Sequence, residues 1–202
     1  MANSIQKEIE KRIFEKEEGT IFLTEDFNDL ASLSTIRKCL SRLVKAEKIR
    51  RITNGMYYRP QFSNFLNQYA YPNLYKVAEA IARKNHWTIS YGGNTCLNGL
   101  GLSTQVPAKI IFISDGPTKI FTIKGNQIYF QHRSSNSLTN LSEVTKIMIE
   151  TFHTLGRNYI DSDTINILRG RIPLEDHETL LEESKGTFDW IYSAIRKVCK
   201  DT

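Results

Sequence analysis

The chain has 202 residues, 40% of them hydrophobic and 24% charged, with a formal net charge of +5. That composition is too apolar for a disordered chain and fits one or two globular domains. No run approaches the roughly 18 apolar residues of a membrane span, and the charged N-terminus lacks the apolar core of a secretory signal. Three scattered cysteines (Cys39, Cys96, Cys199), with no CxxC, give neither a disulfide framework nor a zinc knuckle, so a reducing cytoplasm is the expected compartment.

Taken in chain order, Ile5, Ile9, Ile13 and Phe14 recur at helical spacing among Lys and Glu, which predicts a helix over Ser4–Glu18 stopped by Gly19. The apolar run Thr20–Leu23 comes next. Thr24 is the expected cap of a short helix over Glu25–Ala31, whose Glu25 and Asp26 suit the helix dipole. After the turn Ala31–Ser34, Ser34 is expected to cap a third helix, Thr35–Lys48. Ile36, Leu40, Leu43 and Val44 form its buried stripe, and Thr35, Arg37, Lys38, Ser41, Arg42 and Lys45 its open face. Two β-prone runs, Ile49–Ile52 and Met56–Arg59, flank Thr53-Asn54-Gly55, a hairpin signal, and Pro60 ends the second.

The charge is concentrated here. Residues 34–60 hold eight Lys/Arg against one acid, Glu47, a local net of +7 that exceeds the charge of the whole chain. Helix, short strand, helix, turn, basic helix and basic hairpin is the winged helix-turn-helix order. A helix fits the major groove, where base edges are distinguishable, and an arginine-bearing ribbon beside it can hold the neighbouring backbone. The expected partner is double-stranded DNA. Arg37, Lys38, Arg42 and Lys45 are expected on phosphates and guanine edges, Thr35 and Ser41 on bases or backbone, and Arg50, Arg51 and Asn54 act from the wing.

The aromatic stretch Gln61–Tyr71 is expected to pack the wing onto the rest of the chain, with a domain boundary near Tyr71-Pro72. The domains are thus 1–71 and 72–202. Beyond the boundary the patterns predict a helix over Leu74–Asn85, a strand over Trp87–Ser90 and a short helix over Asn94–Gly99. Three strands come after it (Ala108–Ser114, Lys119–Ile123, Gln127–His132), then helices over Leu141–Leu155, Thr164–Leu168, Leu174–Glu183 and Phe188–Lys200. The fold class is α+β: a winged helix followed by a mixed α/β domain with a small antiparallel sheet and C-terminal helices.

Three constellations in the second domain bear on chemistry. Tyr91-Gly92-Gly93-Asn94-Thr95 lies between a strand and a helix but lacks the GxxxxGK[ST] and GxGxxG patterns, so a tight turn explains it. Asp161-Ser162-Asp163 precedes a helix start, where capping accounts for it. Asp115 would begin a metal-dependent nuclease motif, but Thr122-Ile123-Lys124 places threonine where the second carboxylate belongs. His86, His132, His153 and His177 form no ligand spacing. No catalytic set, metal site or cofactor is expected, and the chain is read as a non-enzyme.

Two blocks resemble a known family. Ser34–Pro60, with Leu40, Leu43, Ile49, Gly55 and Tyr57, and Trp87–Ser114, with Gly92, Leu97, Asn98, Leu100, Gly101, Leu102, Val106 and Pro107, are similar to the AbiEi family of type IV antitoxins from bacterial abortive-infection systems, including its DUF6088-type relatives. The resemblance implies a transcriptional autorepressor that binds its own operator through the winged helix. Its second domain would counter a nucleotidyltransferase-type toxin without requiring stable contact. The alternative is a winged-helix regulator whose C-terminal domain senses a ligand.

Overall fold

A computed structural model gives the fold and describes residues 2–65, 67–104, 109–134 and 140–200. The chain divides into two compact units, residues 1–85 and 86–202.

In the first unit, α1 (Ala2–Phe14) buries Ile9 and Ile13. It ends earlier than its charge pattern predicts because Arg59 takes over its C-terminal carbonyls. The guanidinium donates to Phe14 O (3.1 Å) and Lys16 O (2.6 Å) and lies over the Phe14 ring. Strand β1 (Ile21–Leu23) leads into a single 3-10 turn, Thr24–Phe27, where the sequence predicts a helix to Ala31. Thr24 is not a cap there. It is buried, and its N–H and hydroxyl both donate to Gly55 O (3.0 and 3.4 Å). Asp26 takes the capping role instead, accepting from Leu23 N at 2.9 Å.

Helix α2 (Leu33–Lys45) buries Ile36, Cys39, Leu40 and Leu43. It begins ahead of the expected cap, with Ser32 at its N-terminus and that hydroxyl shared with Ser34 and Thr35 at 3.1 Å. Glu47, at φ 56°, turns the chain into β2 (Arg50–Thr53), which pairs antiparallel with β3 (Met56–Tyr58) across Asn54-Gly55. The order in the sheet is β1-β3-β2. Only Gly55 of the turn has positive φ (76°), and a bulge between Arg51 and Thr53 absorbs the register shift. The core between helices and sheet holds Ile9, Ile13, Phe22, Phe27, Ile36, Leu40, Leu43, Ile49 and Tyr57. A small ribbon, β4 (Phe62–Ser63) with β5 (Gln68–Tyr69), comes next, and then α3 (Leu74–Asn85).

Helix α3 has the expected bounds but belongs to the first unit, so the division falls after Asn85 rather than after Tyr71. The cause is specific. Arg83 donates to Ile21 O (3.4 Å) and to Asp26 (3.0 Å), and Lys84 donates to Asn54 O (2.9 Å), tying α3 to both ends of the three-stranded sheet.

The second unit carries β6 (Ile89–Tyr91), α4 (Asn94–Gly99), β7 (Lys109–Ser114), β8 (Lys119–Ile123) and β9 (Asn126–His132), ordered β6-β7-β9-β8. The sheet is not wholly antiparallel, because β7 and β9 run parallel. The tight turn at Lys124-Gly125 (φ 52° and 86°) makes β8 and β9 a hairpin, and β8 takes the edge. Trp87, Phe121 and Phe130 cluster on this sheet, Trp87 meeting Phe130 edge-on at 5.5 Å. Helices α5 (Glu143–Leu155), α6 (Ser162–Arg169), α7 (His177–Glu183) and α8 (Asp189–Cys199) form a second core around Met148, Phe152, Leu168, Leu180, Ile191 and Ile195. Asp161 caps α6 by accepting from Thr164 N at 2.8 Å, and that bond holds its carboxyl below the ordinary range. No helix among the described residues is long and apolar enough to cross a membrane.

Candidate nucleic-acid interface

At about 100° per residue, burying Ile36, Leu40 and Leu43 forces Ser34, Arg37, Lys38, Ser41, Arg42 and Lys45 onto an arc of about 140° on the opposite side of α2. All six are exposed. Thr35 sits at the margin, half-buried, with its hydroxyl turned to Ser32.

Five cations of the unit pair with carboxylates. Lys11 pairs with Glu15, Arg12 with Glu8 and Asp29, Lys48 with Glu10, Arg59 with Glu18 and Arg83 with Asp26. The Arg12 guanidinium holds the Asp29 carboxyl below its usual range. Arg37, Lys38, Arg42 and Lys45 pair with no carboxylate among the described residues, and Arg42 reaches only the neutral amide of Gln6, at 3.5 Å. Acids of the first 33 residues thus neutralise five cations elsewhere in the unit and leave the α2 face uncompensated, as they also leave Lys7, Lys16 and Lys76 among the described residues.

The two ribbon arginines diverge. Cross-strand partners share a face of a sheet, and Arg51 lies opposite Tyr57 whereas Arg50 lies opposite Tyr58. Tyr57 faces the core on the α2 side, so Arg51 shares that side. There it donates to Asn54 Oδ1 at 2.9 Å and lies 5.7 Å from the Tyr57 ring centre. Arg50 leaves the other face and stacks on Tyr69 at 4.4 Å. Of the residues the sequence singled out, Arg37, Lys38, Ser41, Arg42 and Lys45 come together on one surface. Arg51 and Asn54 form a bonded pair on the ribbon, and Arg50 is separated from them by the sheet. Sequence reasoning missed the two anchors of the turn, Thr24 and Lys84, whose contacts with Gly55 and Asn54 are long-range.

The other constellations make structural contacts. Gly93 (φ 52°) donates its N–H to Glu150 at 3.3 Å, so a carboxylate occupies the place a phosphate would need. A side chain on Gly92 would press Ile111 and Ile113 at 3.2 Å. Asp115 accepts from Thr88 N at 2.8 Å. Val106 and Pro107 of the second block lie outside the described residues.

A cavity of about 530 Å³ opens in the second unit, bounded by Ile113, Arg133, Lys146, Ile149, Glu150 and Phe188 among others. Glu150 is buried at 6% exposure, with Arg133 3.8 Å away. Burial alone would raise the Glu183 carboxyl at the rim. Hydrogen bonds from Ser142 and Thr145, with Lys146 nearby, hold it below the ordinary range instead. Cys96 has its thiol pushed up to about 12 by burial and by nearby Glu150 and Glu143, which favours the protonated form.

A family model for DUF6088, described as a family of unknown function, matches residues 8–180. No curated protein matches the chain. Among solved structures the chain is similar to the RV2827C protein from Mycobacterium tuberculosis, with a TM-score of 0.44 and 11% identity over 89% of this chain and 71% of that one.

Proposed function

We propose that this chain, which belongs to the DUF6088 family, is a duplex-DNA-binding protein whose α2 enters the major groove and whose β2–β3 ribbon holds the adjoining backbone. The observation that carries this reading is the uncompensated set Arg37, Lys38, Arg42 and Lys45, on one face of one helix, in a unit where cations such as Arg12, Lys48 and Arg83 find carboxylates. The element order and the β1-β3-β2 sheet are compatible with a winged helix-turn-helix, which supports the reading. So does the hydroxyl-rich start of α2, where helix N–H groups attract phosphate.

On the resemblance of Ser34–Pro60 and Trp87–Ser114 to the AbiEi antitoxins, the chain is further proposed to repress its own operon and to counter a nucleotidyltransferase-type toxin. A mobility-shift assay on the duplex upstream of its own gene tests the first part. Arg42→Ala should weaken binding by about 1–3 kcal/mol on the specific site if it reads a base, and equally on all sequences if it touches phosphate. Absence of any complex at low salt would overturn the reading. Co-expression with the adjacent reading frame tests the second part: relief of growth arrest supports it, and unrelieved arrest contradicts it.

The cavity around Glu150 favours a second reading, a winged-helix regulator whose residues 86–202 sense a small ligand, since its volume falls in the range of small-molecule sites. In that case the small-molecule fraction of a cell extract should shift DNA affinity, and Ile149→Trp, which fills the cavity, should remove the shift. An affinity indifferent to both would contradict it.

A further inference from the structure

Between Glu47 and Glu79 the chain has no acid at all, yet this stretch carries Arg50 and Arg51 and the exposed rings of Phe62, Phe65, Tyr69 and Tyr71. The short ribbon β4–β5 brings Phe62, Tyr69 and Arg50 together. Two-residue strands are marginal in water, so side chains must hold the ribbon. Phe62 meets Tyr69 edge-on at 5.2 Å, and Arg50 covers the Tyr69 ring at 4.4 Å. Ala70 N donates to Gln61 O at 2.7 Å, and the Tyr58 hydroxyl donates to Ala70 O at 3.4 Å. Tyr69 is thereby clamped between a ring and a guanidinium, while Phe65 stands in the connecting turn, 95% exposed.

A single exposed ring needs no explanation. Several exposed rings on and beside one short ribbon, free of acids and interleaved with uncharged amides (Gln61, Asn64, Asn67, Gln68), match a surface for nucleic acid. Rings pack on bases or wedge into the minor groove, amides meet base edges, and a cation neutralises phosphate. The divergence of the two adjacent arginines then acquires a reason: Arg51 serves the α2 side and Arg50 the β4–β5 side.

We propose that the β4–β5 hairpin is a second DNA-contacting element, in which Phe65 packs into the minor groove beside the segment held by α2 and Arg50 holds a phosphate there. This rests on the duplex-binding reading above.

The test uses the full chain and a fluorescein-labelled duplex from upstream of its own gene, with Phe65→Ala, Phe65→Trp and Arg42→Ala compared by anisotropy. Phe65→Ala should weaken binding at least about fivefold, with an unchanged salt slope because no charge is lost. The added indole of Phe65→Trp should be quenched by the duplex beyond the response of wild-type Trp87 and Trp190. If Arg42→Ala weakens binding but Phe65→Ala does not, the hairpin proposal fails alone. If neither weakens binding, the placing of α2 on the duplex fails with it, and if wild type forms no complex at low salt, the duplex-binding reading itself fails. If Phe65→Ala abolishes a dimer seen in sedimentation and leaves DNA affinity intact, the tip is a self-association surface and the proposal is overturned.

Discussion

Lys38 and Lys48 lie ten positions apart in the same basic segment, yet the structure gives them opposite fates, and this makes them a matched pair for a salt-dependence experiment. Lys38 is exposed on α2 with no carboxylate partner among the described residues, whereas Lys48 is ion-paired to Glu10. Each phosphate neutralised by a cation contributes about 0.9 to the slope of log affinity against log salt. If Arg37, Lys38, Arg42, Lys45, Arg50 and Arg51 all meet phosphates, the slope is roughly −5, and affinity falls about a thousandfold between 50 and 200 mM salt. Lys38→Ala should flatten that slope by about 0.9. Lys48→Ala should leave it nearly unchanged, because the Lys48 charge is already neutralised, and should cost at most about 1 kcal/mol of stability as an exposed pair. Anisotropy titrations of one duplex across a salt series read both slopes. Equal flattening by the two variants would mean that net charge rather than the geometry of α2 sets affinity, and a wild-type slope near zero would refute the reasoning outright.

Two further predictions concern the second unit. A side chain on Gly116 would lie 2.4 Å from two carbons of the Trp87 indole, which is itself wedged against Phe121 and Phe130. Gly116→Ala should therefore destabilise by about 1–3 kcal/mol in urea denaturation, whereas Gly186→Ala, with nothing near its added methyl, should be nearly neutral. Glu183 has its native carboxyl held below the ordinary range, near 4.3 for an unfolded chain, by bonds from Ser142 at the start of α5. The group binds fewer protons folded than unfolded, so its stabilisation is present above about pH 5 and is lost as pH falls through the lower native value. Thermal melts of wild type and Glu183→Gln should differ most at neutral pH and converge in acid. A gap that widens in acid would contradict the sign.

Local patterns carried much of the fold. The stripe Ile36, Leu40, Leu43 placed α2 and its open face, and the apolar spacing in Leu74–Asn85 and the turn signals around Lys119–Ile123 gave elements with the observed bounds. The misreadings share a cause: a side chain with a strong local preference was claimed by a distant partner. Thr24 reads as a cap but serves Gly55, and the charged tail of α1 reads as helix but meets Arg59. Arg83 and Lys84 pull α3 onto the first unit across tens of residues. The parallel pairing of β7 with β9 accompanies the closing of β8 and β9 into a hairpin, an arrangement that spacing alone does not rank. At the candidate interface the residue types were legible, but the divergence of Arg50 from Arg51 was not, because it depends on which cross-strand partner faces the core. The aromatic ribbon left one visible trace, the acid-free run from Lys48 to Ala78.

Whether the exposed face of α2 lies against DNA can be read by affinity cleavage from Ser41. A cysteine at Ser41, carrying an iron chelate in a Cys199→Ser background with Cys39 and Cys96 buried, would be compared with the same reagent at Glu79 on α3. Strand scission is expected at a few adjacent base pairs of the bound duplex from position 41, and only background scission from position 79. Equal cleavage from both positions, or none from position 41 in a complex that forms, would contradict that placement of α2.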